Sequence, residues 1–227
     1  MRRRADWIGL VVAWGIAAGC ARLGIWQVHR LAQRRARNAI VAAVLAGTPE
    51  PAGAVSPIGH EPGVPRMRLR AKGIYDYSRE RRWAGRAFDG VPGVAVITPL
   101  RISPSQAVLV DRGFVAAPDA RHIDLTPWRE SDSADVVGLA FDAPRGRGDV
   151  DPAALRDSFP YQLAPFILQL QASDSLHPER PEANGLHRWP GPDLSDGPHL
   201  SYAIQWFAFA IIIAVGSVIL FRRDPAR

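Results

Sequence analysis

Two stretches of the chain are apolar for long enough to cross a bilayer, and between them the apolar residues come in short runs punctuated by Gly, Pro and Ser. Leu200 to Phe221 carries no charged residue and is followed by Arg222-Arg223. A helix of that length, at about 1.5 Å per residue, covers the roughly 30 Å hydrocarbon core of a membrane. Near the other end, Arg2-Arg3-Arg4 precede an apolar run from Trp7 to Cys20, which goes on through Ala21, Leu23, Gly24, Ile25 and Trp26 with only Arg22 interrupting. The charge-free part alone has the length of a signal-peptide core, and Ala17-Ala18-Gly19-Cys20 resembles a lipoprotein cleavage site without its leucine. An uncleaved span, with Arg22 reaching the headgroups and Trp26 at the interface, accounts for more of the residues.

Beyond the first span the helical period continues. Trp26, Arg30, Arg34 and Arg37 recur at helical spacing as a basic ridge, and Ile40, Val41, Val44 and Leu45 give an apolar side. Thr48 to Pro65 is rich in Pro and Gly and reads as a linker. From Arg66 the pattern becomes extended: Arg66 to Ala71 alternates, and Val94 to Leu100, Ala107 to Val115, Val136 to Phe141 and Phe166 to Leu170 are short apolar runs. Gly90, Pro92, Gly93, Ser103-Pro104-Ser105 and Pro118 supply turns, while Asp142 to Arg156 and Ser173 to Gly197 read as loops. The expected architecture is membrane-anchored and mainly β, with two transmembrane helices flanking one exported β-rich domain, barrel or sandwich-like. Its expected divisions are a cytoplasmic tail at 1–6, helix 7–26, extension and linker 27–65, β-rich domain 66–198, helix 199–221 and cytoplasmic tail 222–227.

Charge and chemistry refine this picture. The net charge is +6 with a pI near 10.3, but the arginines are dispersed and no nucleic-acid module accompanies them, so the basic balance points to anionic lipid or an acidic ligand. Cys20 is the only cysteine, which excludes an internal disulfide or a CxxC pair. HExxH, GxSxG, the phosphate-binding P-loop and GxGxxG are all absent, and the expectation is a protein that is not an enzyme. Arginines at both ends place those ends in the cytoplasm and the middle outside. Arg30, Arg34, Arg35 and Arg37 pull the other way; acidic residues before the second helix and arginines after it decide for export, since long loops translocate largely regardless of charge.

His199 stands at the edge of the second span, beside Tyr202 and Trp206 at helical spacing. An imidazole there either snorkels to the headgroups or keeps a ring nitrogen for a metal such as haem iron. Arg30 and Arg34 either contact headgroups or pair with an anionic partner. In Asp111-Arg112-Gly113 an ion pair with bonds to backbone carbonyls, beside a glycine that admits close backbone approach, is the structural reading, and partner docking is the other.

The block His199-Leu200-x-Tyr202-Ala203-x-Gln205-Trp206-Phe207 resembles the second membrane helix of the Surfeit-locus family of cytochrome c oxidase assembly proteins. Gly24-x-Trp26-Gln27-x-x-Arg30, Gly73-x-Tyr75, Gly90-x-Pro92-Gly93 leading to Thr98-Pro99-Leu100, and Val108-Leu109-Val110-Asp111-Arg112-Gly113 occur in the family's order. Phe114 departs from the family's usual tryptophan, and Gly197-Pro198 departs where asparagine is common. The resemblance implies an assembly factor that helps deliver haem a to subunit I of cytochrome c oxidase, with haem A synthase a second candidate partner. It implies a bacterial inner membrane, His199 as the haem iron ligand, and Tyr202, Trp206, Arg30 and Arg34 around the cofactor. A membrane-tethered scaffold without a cofactor is the rival reading. The topology predicts that a reporter active only outside the cytoplasm is active when inserted near Pro144 and silent when fused after Arg227; the reverse pattern refutes it.

Overall fold

The computed structural model describes residues 2–54, 63–146, 148–172 and 185–222. His60, Glu61, His177 and Arg223, with parts of the expected linker and second loop, lie outside the described residues. The chain divides into two compact units, Val41–Asp193 and Met1–Ile40 with Leu194–Arg227. Two apolar helices, α1 (Arg2–Ala46) and α2 (His199–Arg222), flank in sequence a domain built on β-sheet. Both are long and apolar enough to cross a membrane.

The strands are β1 (Glu50–Pro51), β2 (Met67–Tyr75), β3 (Arg81–Phe88), β4 (Val91–Ser103), β5 (Gln106–Ala116), β6 (Ser133–Asp142) and β7 (Gln162–Gln169). They form one seven-stranded sheet in the order β1-β2-β6-β7-β5-β4-β3, and a short further pairing joins β2 to β4. β5 and β7 run parallel, as do β1 and β2; the other pairs are antiparallel. The pairing therefore runs from β2 through β6, β7, β5 and β4 and returns to β2 at Ile74 and Tyr75, opposite Arg101 and Leu100. Gly73 is what permits this return, because a Cβ there would lie 2.1 Å from the Arg101 carbonyl oxygen.

The side-chain pattern explains which runs were legible. β2 alternates, with Leu69 and Ala71 in the core and Arg70 outside, where it forms a two-pronged pair with Asp135 of β6 at 2.8 and 2.7 Å. β5 is buried on both faces, so Val108 and Val110 fill one cluster while Ala107, Leu109 and Phe114 fill another, giving an unbroken apolar run. Two elements go beyond the sequence expectation. β1 pairs with β2 inside the Pro-rich linker, and the arginine-rich β3 forms a hairpin with β4. The turn is Asp89-Gly90, both with positive φ, whereas Pro92 and Gly93 lie in β4 and are not turn residues.

The pairing of β4 with β5 slips by one residue where Val96 faces Gly113 but Ile97 faces Asp111. This bulge at Arg112 corrects the expected ion pair: Asp111 and Arg112 point to opposite faces and take different partners. Arg112, wholly buried, donates from Nη1 to Glu80 at 2.8 Å and from Nε to Glu130 at 3.0 Å, and also to the Trp128 carbonyl. Arg188 completes the group on Glu130 and the Arg112 carbonyl oxygen. Asp111, equally buried, accepts from Trp189 Nε1 at 2.8 Å, the Gly113 N–H at 3.1 Å and Gln169 Nε2 at 3.3 Å. Gly113, at φ +135°, lets the His187 carbonyl reach the Phe114 N–H at 2.7 Å; a Cβ would stand 2.4 Å from that oxygen.

Arg112→Met leaves Glu80 buried without its cation and Glu130 with Arg188 alone, and unfolding should show a loss of about 3–5 kcal/mol. Burial pushes Asp111 up to about 6 against its hydrogen bonds and the Arg86 charge. A carboxyl raised on folding is better protonated folded than unfolded, so its contribution is full below the unfolded value near 4 and is lost as pH rises through 6. Wild type should therefore lose about 3 kcal/mol relative to Asp111→Asn between pH 4 and 7 in paired unfolding measurements. Parallel pH curves for the two proteins would contradict this.

Candidate functional site

The unit made of residues 1–40 and 194–227 is a pair of helices whose packed residues follow a heptad. On α1 the less exposed positions include Ala13, Ala17, Cys20, Gly24, Gln27, Leu31, Arg34 and Asn38, stepping alternately by four and three. On α2 they include His199, Ala203, Trp206, Ala210, Ile213 and Ser217, with the same steps. A strict seven-residue repeat keeps one seam facing the partner helix. Small residues dominate the seam, which lets two membrane-length helices approach closely. Gly24 carries the ring of Phe207, whose nearest atom would be 2.8 Å from a Cβ. The outer face is large and apolar: Val11, Ile211, Ile212 and Leu220 are each more than 60% exposed.

One polar layer interrupts this seam. His199, the first residue of α2, has Nδ1 at 2.9 Å from Gln27 Oε1. Because the amide oxygen can only accept, Nδ1 donates to it, and a neutral ring so bonded keeps its lone pair on Nε2. Among the described residues Nε2 has no protein partner. Below it, Arg34 Nε donates to the Ser195 carbonyl at 2.7 Å, Asn38 Nδ2 to the Leu194 carbonyl at 2.8 Å, and Arg35 grips Asp196 with its shortest bond at 2.6 Å. The Arg35 guanidinium holds the Asp196 carboxyl below its ordinary range. Gly197 then turns the chain with φ +66°, and Tyr202 N and Ser201 Oγ bond the Pro198 carbonyl at 3.1 and 2.8 Å. The lead-in to His199 is thus tied to α1 on three successive residues.

The structure brings His199 and Trp206 onto the seam, two turns apart, with Trp206 edge-on to Phe209 at 6.0 Å. Tyr202 lies on the outer side, 46% exposed, and does not share the seam. Arg30 stands just off the seam, its guanidinium 5.5 Å over Trp26 and 3.3 Å from Gln33, with no carboxylate partner among the described residues. Arg34 is occupied by Ser195 and belongs to the lead-in clamp. Gln27 is the residue that sequence reasoning used only as part of a motif; its heptad position, three after Gly24, was the available signal.

Among the described residues no three His, Cys, Asp or Glu side chains gather as a metal-ion site. Of the residues expected around a cofactor, His199 is the one with a metal-donor side chain. Haem fits the remaining chemistry: apolar helix faces for the macrocycle and Arg30 for a carboxylate.

The SURF1 family matches residues 15–211. An uncharacterized SURF1-like protein of Mycobacterium bovis is 28% identical over 138 residues, 58% of this chain and 51% of that protein. Two uncharacterized SURF1-like proteins of Mycobacterium tuberculosis match with the same identity and coverage. The chain spans about half the length of these curated relatives. A match that takes in most of the first helix, the whole sheet and the first half of the second helix makes the chain a member of the SURF1 family.

Proposed function

We propose that this chain is a membrane-inserted assembly factor that assists delivery of haem a to subunit I of cytochrome c oxidase, with its β-rich domain closed as a small barrel on the exported side of a bacterial inner membrane. SURF1 family membership supports the assembly role. The carrying observation is the Gln27–His199 bond, which orients the ring through Nδ1 and turns Nε2 away from Gln27, the arrangement expected of a ligating histidine with a partner behind it. Haem, when bound, supplies the metal and the amphipathic ring that is to be handed on. The protein's part is to hold and orient: Gln27 sets the imidazole, the clamp of Arg34, Arg35 and Asn38 fixes the approach to α2, and Arg30 offers a cation for a propionate. Hydrocarbon around α1 and α2 gives the ring an apolar berth, and Tyr202 flanks it from the outer face. Haem A synthase is a fitting upstream partner, because a carrier receives from the enzyme that finishes the cofactor.

Protein made with haem A available should show a haem spectrum after detergent purification. His199→Leu should lose most of that haem while still inserting, and His199→Met should shift the spectrum through its axial ligand. Unchanged haem content in His199→Leu would transfer the function to a cofactor-free scaffold.

Gln27→Leu removes only the acceptor on Nδ1. Its haem affinity should fall about 10–100-fold, as for other partners behind a ligating histidine, with Gln27→Glu retaining most of the binding. Equal haem affinity in Gln27→Leu and wild type would detach Gln27 from the site.

A further inference from the structure

We propose that a split in the sheet, beside Lys72 on β2, takes up an extended segment of a partner protein that pairs with the strand edge and sets a carboxylate on the Lys72 ammonium. The inference rests on the sheet domain alone and uses neither His199 nor haem.

The split follows from the register. On the side of β2 away from β6, β1 pairs only at Leu69 and Arg70, and β4 pairs only at Ile74 and Tyr75. Residues 71–73 have no strand beside them there. β1 leaves the edge because the chain coils into a single 3-10 turn at Ala52–Ala54, and β4 leaves it where its pairing with β5 shifts between Arg101 and Ser103. The Tyr75 N–H turns toward β6 to the Asp132 carbonyl, whereas the Asp76 N–H turns the other way to the Pro99 carbonyl of β4, both at 2.8 Å. Strand alternation carries this back along β2, so the backbone N–H and C=O of Lys72 point into the split. An open strand edge is a template for another chain.

The surface there is hollow. A groove of about 550 Å³, within the usual range of ligand clefts, is lined by three consecutive residues of β2: Arg70, Ala71 and Lys72. Successive side chains of a strand point to opposite faces, so a hollow bordered by three in a row runs along the strand edge and not over one face. Its other walls are the turn after β1, from Pro51 to Gly53, and the end of β4 at Ile102 and Ser103. The groove and the break in pairing therefore coincide.

Charge selects the occupant. Of the cations that alternate along β2, Arg68 donates to the Leu45 carbonyl at 3.2 Å and Arg70 is held by both oxygens of Asp135. Lys72 is exposed, and its ammonium makes no ion pair or hydrogen bond among the described residues. A chain that bonds the Lys72 backbone places the side chain of its paired residue with Cβ about 5 Å from that of Lys72, which is within reach of a Glu or Asp carboxylate on the ammonium. Main-chain bonds give such an added strand its hold, and the charge pair fixes its register.

The test titrates the full chain, in detergent at low salt, with a fluorescent heptapeptide of alternating Thr and Val around a central Glu, read by anisotropy. Two controls share its length: one has Gln in place of the Glu, and the other is N-methylated at every residue. The N-methylated peptide should not bind, and the Gln peptide should bind about fivefold more weakly than the parent. Lys72→Gln should weaken the Glu peptide about fivefold and leave the Gln peptide unchanged, with the haem content of wild type. Bound Glu peptide should slow hydrogen exchange at the Lys72 amide, and a carbodiimide should couple its carboxylate to Lys72, the only lysine of the chain. Equal binding of the N-methylated peptide, unaltered affinity for the Glu peptide in Lys72→Gln, unchanged exchange at Lys72, or displacement by inorganic phosphate at the peptide's own concentration each overturns the proposal, as does the absence of peptide binding.

Discussion

A one-residue bulge at Arg112 is the constraint on which the sheet domain depends. Regular alternation would send Asp111 and Gly113 to one face and Arg112 to the other, with the chain still in register. The inserted residue instead returns Phe114 to the face of Asp111, opposite Ala95, and frees Gly113 to admit the strand of residues around His187. Two opposite charges are thereby buried next to each other in sequence yet never meet. Arg112 meets two carboxylates, the condition under which a buried charge is tolerable, whereas Asp111 meets only neutral donors, and burial prevails over them. The two sets reach Glu80 just before β3, the turn at Thr126–Trp128, Gln169 of β7 and the segment at 187–189, so two adjacent strand positions tie together elements distant in sequence.

The helix pair solves a different problem. Between two helices in hydrocarbon there is little hydrophobic drive, and close packing of small residues must serve. Ala17, Cys20 and Gly24 on one side and Ala203 and Ala210 on the other provide it. A polar layer in such a seam is costly unless satisfied, and Gln27 with His199 satisfies each other only in part, since the imidazole retains one acceptor nitrogen. That residual valence is the chemistry the site has to offer.

Much of this was legible in the residues. The charge-free run at Leu200 to Phe221 and the alternation of Met67 to Ala71 follow directly from the polarity of the surroundings, and the structure has a helix and a strand there. β3 was not, because its inward positions Arg81 and Arg86 are cationic and its hydrophobic period is masked; the Asp89-Gly90 hairpin turn was the surviving trace. The different fates of Asp111 and Arg112 were not legible either, since a bulge is decided by contacts with β4 and with residues some 75 positions later. At the helix site, His199 was visible from its place at the span's edge. Its partner was not, because helical periodicity gives a face but never says which residue lies opposite.

The bond between Gln27 and His199 joins residues 172 positions apart. At ribosomal rates of about 5–20 residues per second, the two are made roughly 10–30 s apart. For that interval the first helix exists without its second, and Gln27 has no imidazole to orient. The polar layer is consequently a property of the finished chain: a chain that stops short of residue 199 has the arginines and apolar surface of α1 but lacks the bond that closes the pair.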